Sequence, residues 1–291
     1  MVTAVIRQFW KEQLVIIKIK WGNVMSIEVM DLWENVPGMC EEVPKITAYI
    51  PENKTSDCAV VILPGGGYCE RAEPEGKGFA EFFNEKGIVA FVVDYRVAPH
   101  KFPLPLLDSR RSVQFVRFYA NKYGINKNKV LIMGSSAGGH LAALTSTYFK
   151  EIKEFEINDE ISKESFIPDA QILCYPVINL VGKRGDVHYG SGMNLLGMNY
   201  APFCHELSPS MIASGETPPA FIWHTFKDDG VSVKNSLDYA KALKDYDVDV
   251  EMHIYPHGPH GMAIPVPDSK VSEHVLQWTE QLLCWIKYMG F

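Results

Sequence analysis

The sequence predicts an α/β architecture: a mostly parallel central sheet flanked by helices on both faces, with a partial lid inserted late in the chain. Three observations carry this expectation. Apolar, β-branched runs at 58–63, 88–93, 129–133, 170–175 and 220–225 alternate with stretches of helical period, the pattern of repeated strand-helix-strand units. The runs are continuous rather than alternating, which marks strands covered on both faces. Several break on clusters of Gly, Pro, Asp or His, at the strand end where such sheets present reacting groups.

Residues 1–25 read as a leader of uncertain status. Leu14-Val15-Ile16-Ile17-Lys18-Ile19 follows Arg7 and Lys11 as a secretory signal would, but the run is short, Lys18 and Lys20 interrupt it and no small-residue cleavage site follows. Met25 offers an alternative start. A spanning helix needs about 20 apolar residues, so no membrane is expected as a partner. Residues 26–291 are expected to form a single catalytic domain around one large core.

Val36-Pro37-Gly38 marks a turn, and 43–50 alternates as a half-buried antiparallel strand does. The strand at 58–63 stops at Pro64-Gly65-Gly66-Gly67-Tyr68, where successive glycines are costly to order without a reason. Phe79, Phe82 and Phe83 set a crossover helix over 73–86, ended by Gly87. After the strand at 88–93, Asp94-Tyr95-Arg96-Val97-Ala98-Pro99 leaves the sheet, and Pro99, Pro103 and Pro105 fix a rigid connection. A helix over 108–123 carries Val113, Val116 and Tyr119 on one face and is capped by Gly124. Lys129 to Ala143 reads as strand, elbow and helix. Residues 150–164 are charged and aperiodic, a solvated connection. From 179 to 219 the chain is rich in Gly, Ser, Met, Asn and Pro; a loop that long is usually functional, and it reads as the partial lid, with a short helix around 194–198. A helix over 233–246, a strand at 250–255 and a last helix over 270–288, with Val275, Trp278, Leu282 and Trp285 in its apolar stripe, complete the chain.

A formal net charge of −7 argues against a nucleic-acid surface, which needs clustered Lys and Arg. The six cysteines are scattered without C-x-x-C spacing in a chain too large to need staples; they read as reduced thiols in a cytoplasmic protein. Composition leaves a homo-oligomer open.

Gly134-x-Ser136-x-Gly138 has the form of a nucleophile elbow, a turn so tight that the residues two before and two after the serine must lack bulk. The turn lifts the Ser136 hydroxyl to the carboxyl end of the sheet, over the amide-rich start of the next helix. The glycine loop after the strand at 58–63 suits an oxyanion hole, with the amides of Gly66, Gly67 and Ala137 as donors; Pro64 has no N–H to give. Phe226-Lys227-Asp228-Asp229-Gly230 follows the strand at 220–225. Only one of the adjacent carboxylates can face an imidazole; Asp228 is preferred, Asp229 the alternative. His260, held between Pro259 and Gly261, is preferred over His257 as the base. His140, His224 and His253 read as packing. A zinc site is not expected, because His257 and His260 stand on a Pro-Gly loop with no Cys or carboxylate spaced to complete a shell, and no cofactor is required. Ser136, Asp228 and His260 occur in the Ser, Asp, His order of the α/β-hydrolase fold.

Together Pro64-Gly65-Gly66-Gly67-Tyr68, Asp94-Tyr95-Arg96-Val97-Ala98-Pro99, Gly134 to Ala142, Pro218 to Thr225 and Gly258-Pro259-His260-Gly261 resemble the acetyl-xylan-esterase-like, carbohydrate-acetylesterase branch of the α/β-hydrolase esterases, related to the hormone-sensitive-lipase group. The resemblance implies Ser136 as nucleophile, Asp228 as acid and His260 as base, and an ester substrate: acetyl or other short acyl groups on sugars such as xylo-oligosaccharides. Two departures bear on this. Ser232 stands where such enzymes carry proline, which should loosen the turn holding the acid. Pro64 replaces the histidine of the lipase relatives and favours the carbohydrate branch. A general short-chain carboxylesterase is the alternative; a serine peptidase or a non-catalytic ligand-binding relative ranks below it. A base that must start neutral implies that hydrolysis falls as pH drops below about 6 to 7.

Overall fold

In the computed structural model, which describes residues 3–8, 13–20, 23–38, 43–155 and 157–291, ten strands share one sheet. They are β1 (Thr3–Gln8), β2 (Gln13–Lys20), β3 (Asn23–Asp31), β4 (Lys45–Pro51), β5 (Ala59–Leu63), β6 (Val89–Val93), β7 (Val130–Ser135), β8 (Ala170–Cys174), β9 (Ala220–Thr225) and β10 (Val250–Tyr255). Their spatial order is β1-β2-β3-β4-β6-β5-β7-β8-β9-β10. The first four strands pair antiparallel and β4 joins β6 the same way; from β6 to β10 the pairing is parallel. This is the α/β-hydrolase fold. β3 crosses position 25, and β1 and β2 add to its edge of the sheet, so strands run through the expected leader.

The helices are α1 (Phe79–Glu85), α2 (Leu104–Phe118), α3 (Ala120–Tyr123), α4 (Ser136–Thr147), α5 (Tyr189–Leu196), α6 (Tyr200–Phe203), α7 (Pro209–Ile212), α8 (Lys234–Asp245), α9 (Lys270–Leu276) and α10 (Trp278–Tyr288). Why the central strands read as unbroken apolar runs is visible in β5. Ala59, Val61 and Leu63 belong to the core on one side, which includes residues of α2 and α4, whereas Val60 and Ile62 belong to the core on the other, which includes Phe79 and Phe83 of α1 and Trp278 and Leu282 of α10. Both faces of the strand are covered, so neither tolerates a polar side chain. β10 lies at the sheet edge, and its side chains are mostly half-buried.

Several boundaries differ from expectation, among them the helix expected over 108–123, which divides at Tyr119 into α2 and α3. α2 begins at Leu104 instead of 108, because Pro105 occupies its first turn, where a missing N–H costs nothing. The last helix divides at Gln277. The lid carries α5 earlier than 194–198, then α6 and α7. The connection at 150–164 is also fastened: the buried Arg111 of α2 makes two hydrogen bonds to the Asp159 carboxylate, at 2.7 and 2.6 Å.

Candidate active site

Ser136 sits where β7 becomes α4, with φ at 50°, a left-handed conformation strained for a residue with a side chain. The surroundings hold it there. A Cβ on Gly134 would lie 2.1 Å from the Gly138 carbonyl oxygen, and one on Gly138 would lie 2.1 Å from that of Leu63 in β5. Both contacts are with backbone, which cannot turn aside. Gly138→Ala should therefore destabilise the fold by about 3 kcal/mol, read as a lower urea midpoint at unchanged slope. A midpoint equal to wild type would contradict this packing.

His260 joins the other two residues. Its Nε2 is 2.9 Å from Ser136 Oγ and its Nδ1 2.8 Å from Asp228 Oδ2. The adjacent carboxylates have separate tasks: Asp228 faces the imidazole, and Asp229 accepts the backbone N–H of His260 at 3.0 Å. His257 is exposed. Asp228 Oδ1 accepts the amides of Gly230 and Val231 at 2.8 and 2.7 Å. These bonds hold the turn that Ser232 was expected to loosen, and the Ser232 carbonyl accepts both the backbone and side-chain N–H of Asn235, each at 3.0 Å. Burial by itself would raise the Asp228 pKa, but hydrogen bonds from His224, His260 and the Val231 amide outweigh it and hold the carboxyl well below the usual range. The folded chain thus favours the ionised form; Asp228 stabilises it above about pH 4, and that contribution is lost as pH falls further.

The glycine loop is fixed from outside. Tyr95 donates to the Pro64 carbonyl at 2.6 Å, the Ala98 amide to the Tyr68 carbonyl at 2.7 Å, and the Gly65 amide to Glu75 at 2.7 Å. Gly66 has φ 126°, and a Cβ there would meet the Glu70 carbonyl oxygen at 2.3 Å. Among the described residues the Gly66 and Gly67 amides have no protein acceptor. A cavity of about 330 Å³ is lined by Gly66, Gly67, Glu75, Ser136, His188 and His260. Among the described residues no three His, Cys, Asp or Glu side chains are grouped to hold a metal ion.

The sequence model of the BD-FAE family matches residues 46–243. The chain belongs to the BD-FAE family. It is 36% identical over 231 residues to endo-1,4-beta-xylanase B of Butyrivibrio fibrisolvens and 33% identical over 223 residues to the acetylxylan esterase of Xylanibacter ruminicola. These alignments cover 76% and 75% of this chain but only 35% and 43% of those proteins, so the chain spans less than half the length of these relatives. In three dimensions it is similar to the acetyl ester-xyloside bifunctional hydrolase of Caldicellulosiruptor lactoaceticus, with a TM-score of 0.82 and 38% identity over 90% of this chain and 96% of that one.

This BD-FAE chain surrounds the three residues with groups that sequence reasoning passed over. His224, read as packing, is buried in β9 with Nδ1 2.8 Å from Ser236 Oγ and Nε2 3.0 Å from the Val231 carbonyl. The carbonyl can only accept, so Nε2 carries the proton, and it points between that oxygen and Asp228 Oδ2, 3.3 Å away. His140 fits the packing assignment: it is buried between Tyr68 and the Leu207 carbonyl, and burial lowers its pKa to about 4.

Glu75 and Tyr175 brace two loops. The buried Glu75 accepts Gly65 N–H on one oxygen and Tyr175 O–H, at 2.7 Å, on the other. The Tyr175 oxygen in turn accepts the Ala263 amide at 2.9 Å, and its ring lies edge-on to His260 with centroids 5.0 Å apart. Burial pushes the Glu75 pKa up, and the Tyr175 and Gly65 donors pull it back. Glu75→Gln sets an amide NH₂ against one of those donors, so kcat should fall about tenfold with KM within about twofold. A KM change with kcat intact would contradict the brace.

Proposed function

We propose that the protein is a serine carboxylic-ester hydrolase that removes acetyl or other short acyl groups from carbohydrate esters such as acetylated xylo-oligosaccharides. The observation that carries this is the unbroken run of hydrogen bonds from Ser136 Oγ through His260 to Asp228, opening on a cavity beside two bare glycine amides. His260 Nε2 takes the Ser136 proton as the hydroxyl oxygen attacks the ester carbonyl. The amides of Gly66, Gly67 and Ala137 hold the resulting oxyanion, and the Asp228 carboxylate keeps the proton of His260 on Nδ1 and stabilises the imidazolium. His260 then gives the proton to the leaving alcohol oxygen. Water releases the acyl group from Ser136 by the same exchange in reverse.

The names of the similar acetylxylan esterase and acetyl ester-xyloside hydrolase support the substrate class. So does a cavity of about 330 Å³, which suits a short acyl group beside part of a sugar better than a long acyl chain. The net charge of −7 supports a neutral ester rather than a nucleic acid as the partner. Five described cysteines are free, which supports a reducing, cytoplasmic setting; Cys40 lies outside the described residues. Among the described residues no helix is long and apolar enough to cross a membrane.

Nitrophenyl esters from acetate to octanoate, assayed beside acetylated xylo-oligosaccharides, test the reading. kcat/KM should be highest on acetate and fall along the series, with acetate released from the saccharide. A preference for octanoate, or no release from the saccharide, would leave a general carboxylesterase instead. Because the Asp228 carboxyl is held well below the usual range and takes up no proton of its own in the working range, the acid limb of kcat/KM should carry a single proton. A limb of slope two would place a second titrating group in the mechanism.

A further inference from the structure

His188 lines the cavity with Ser136 and His260, yet it belongs to neither the hydrogen-bonded run nor the glycine loop. It precedes α5 in the lid and caps that helix: Nδ1 is 3.3 Å from the Ser191 backbone N–H and 2.8 Å from Ser191 Oγ. A ring nitrogen that accepts from a backbone N–H carries no proton, so in the neutral ring the proton is on Nε2. Burial, and then the charge of His260, lower the His188 pKa and keep that neutral form. Among the described residues Nε2 has no acceptor, while the ring itself is held by the cap. Apart from the Gly66 and Gly67 amides, Ser136 and His260, which the reaction itself occupies, the cavity is lined by Ala72, Pro74, the acceptor Glu75 and Gly261, none of which offers a side-chain donor. His260, which lines the same cavity, is the group that protonates the leaving oxygen, so the alcohol part of an ester lies in the cavity whose wall His188 forms.

We propose that His188 is a substrate-binding residue of the lid, donating from Nε2–H to a hydroxyl or ring oxygen on the alcohol moiety and so favouring sugar esters over esters of simple alcohols. The inference rests on the carbohydrate-ester reading above. An ester whose alcohol part lacks such an oxygen gains nothing from this contact.

Two variants separate this contact from helix capping. His188→Phe removes both; His188→Ser restores a good cap but is too short to reach the cavity. Both should keep kcat/KM on 4-nitrophenyl acetate within about twofold of wild type and lose about tenfold on acetylated xylo-oligosaccharides, mainly through KM. Equal behaviour of either variant on the two substrates, or a wild-type profile for His188→Ser alone, would overturn the assignment. Wild-type protein that hydrolyses the nitrophenyl ester and ignores every acetylated saccharide would remove the carbohydrate reading and this contact with it. Saccharide hydrolysis unaffected by both variants would remove the contact alone.

Discussion

Replacing Ser136 with alanine is expected to lower kcat on 4-nitrophenyl acetate by about 10⁶-fold, leaving only the slow reaction that bare amides and substrate binding can support. The size of the loss follows from the position of the hydroxyl. It lies 2.9 Å from His260 Nε2, where β7 gives way to α4, on the residue before Ala137. The fold should be little affected, because alanine keeps the Cβ that the elbow already accommodates at φ 50°, and only one partly buried hydrogen bond is removed. Matched urea midpoints would show that the lost turnover is chemical. A residual rate within a hundredfold of wild type would mean that another nucleophile, or a directly activated water, carries the reaction.

Asp228→Asn should cost about 10⁴-fold in kcat, with KM changed far less. The site around this carboxylate is built of donors: the Gly230 and Val231 amides on Oδ1, and the His260 Nδ1–H on Oδ2 with His224 Nε2–H beside it. An asparagine has the same shape but must turn an NH₂ toward one of those pairs. Facing His260, it forces the imidazole to accept at Nδ1 and to carry its proton on Nε2, where it can no longer take one from Ser136. Facing the loop, it sets NH₂ against two backbone N–H groups and loosens the turn. A loss of tenfold or less would point to Asp229 as the acid. Yet Asp229 is already engaged by the His260 backbone amide, so its own Asn variant should act mainly on the position of the loop.

What could be read from the chain was set by sterics and burial. β5 and β7 are covered on both faces, which leaves no choice but apolar residues, and the elbow permits nothing larger than glycine at positions 134 and 138. Those constraints write themselves into consecutive positions. Boundaries were harder to read, because the break at Gln277 between α9 and α10 interrupts no apolar stripe, and α5 of the lid is held by partners far off in the chain, the Phe102 amide on the Leu195 carbonyl and Lys101 on that of Asn194. The supporting polar groups were hardest. Glu75 is indistinguishable in sequence from the exposed Glu73 two positions earlier, and its partner Tyr175 lies 100 residues on. Position alone held a signal for Tyr175, since it directly follows β8 at the side of the sheet where the other site residues emerge. His224 looked like a strand residue because it is one; its bearing on Asp228 appears only when the chain turns back after β9.

Trapping the covalent intermediate tests the central chemistry most directly. Incubation with a fluorophosphonate, followed by digestion and mass spectrometry, should give a single adduct on the peptide containing Ser136, formed in step with loss of esterase activity and much more slowly in a His260→Ala variant. Activity that disappears with the adduct on any other residue, or a Ser136 left unmodified while turnover continues, would contradict a hydroxyl at the β7–α4 elbow driven by the imidazole of His260.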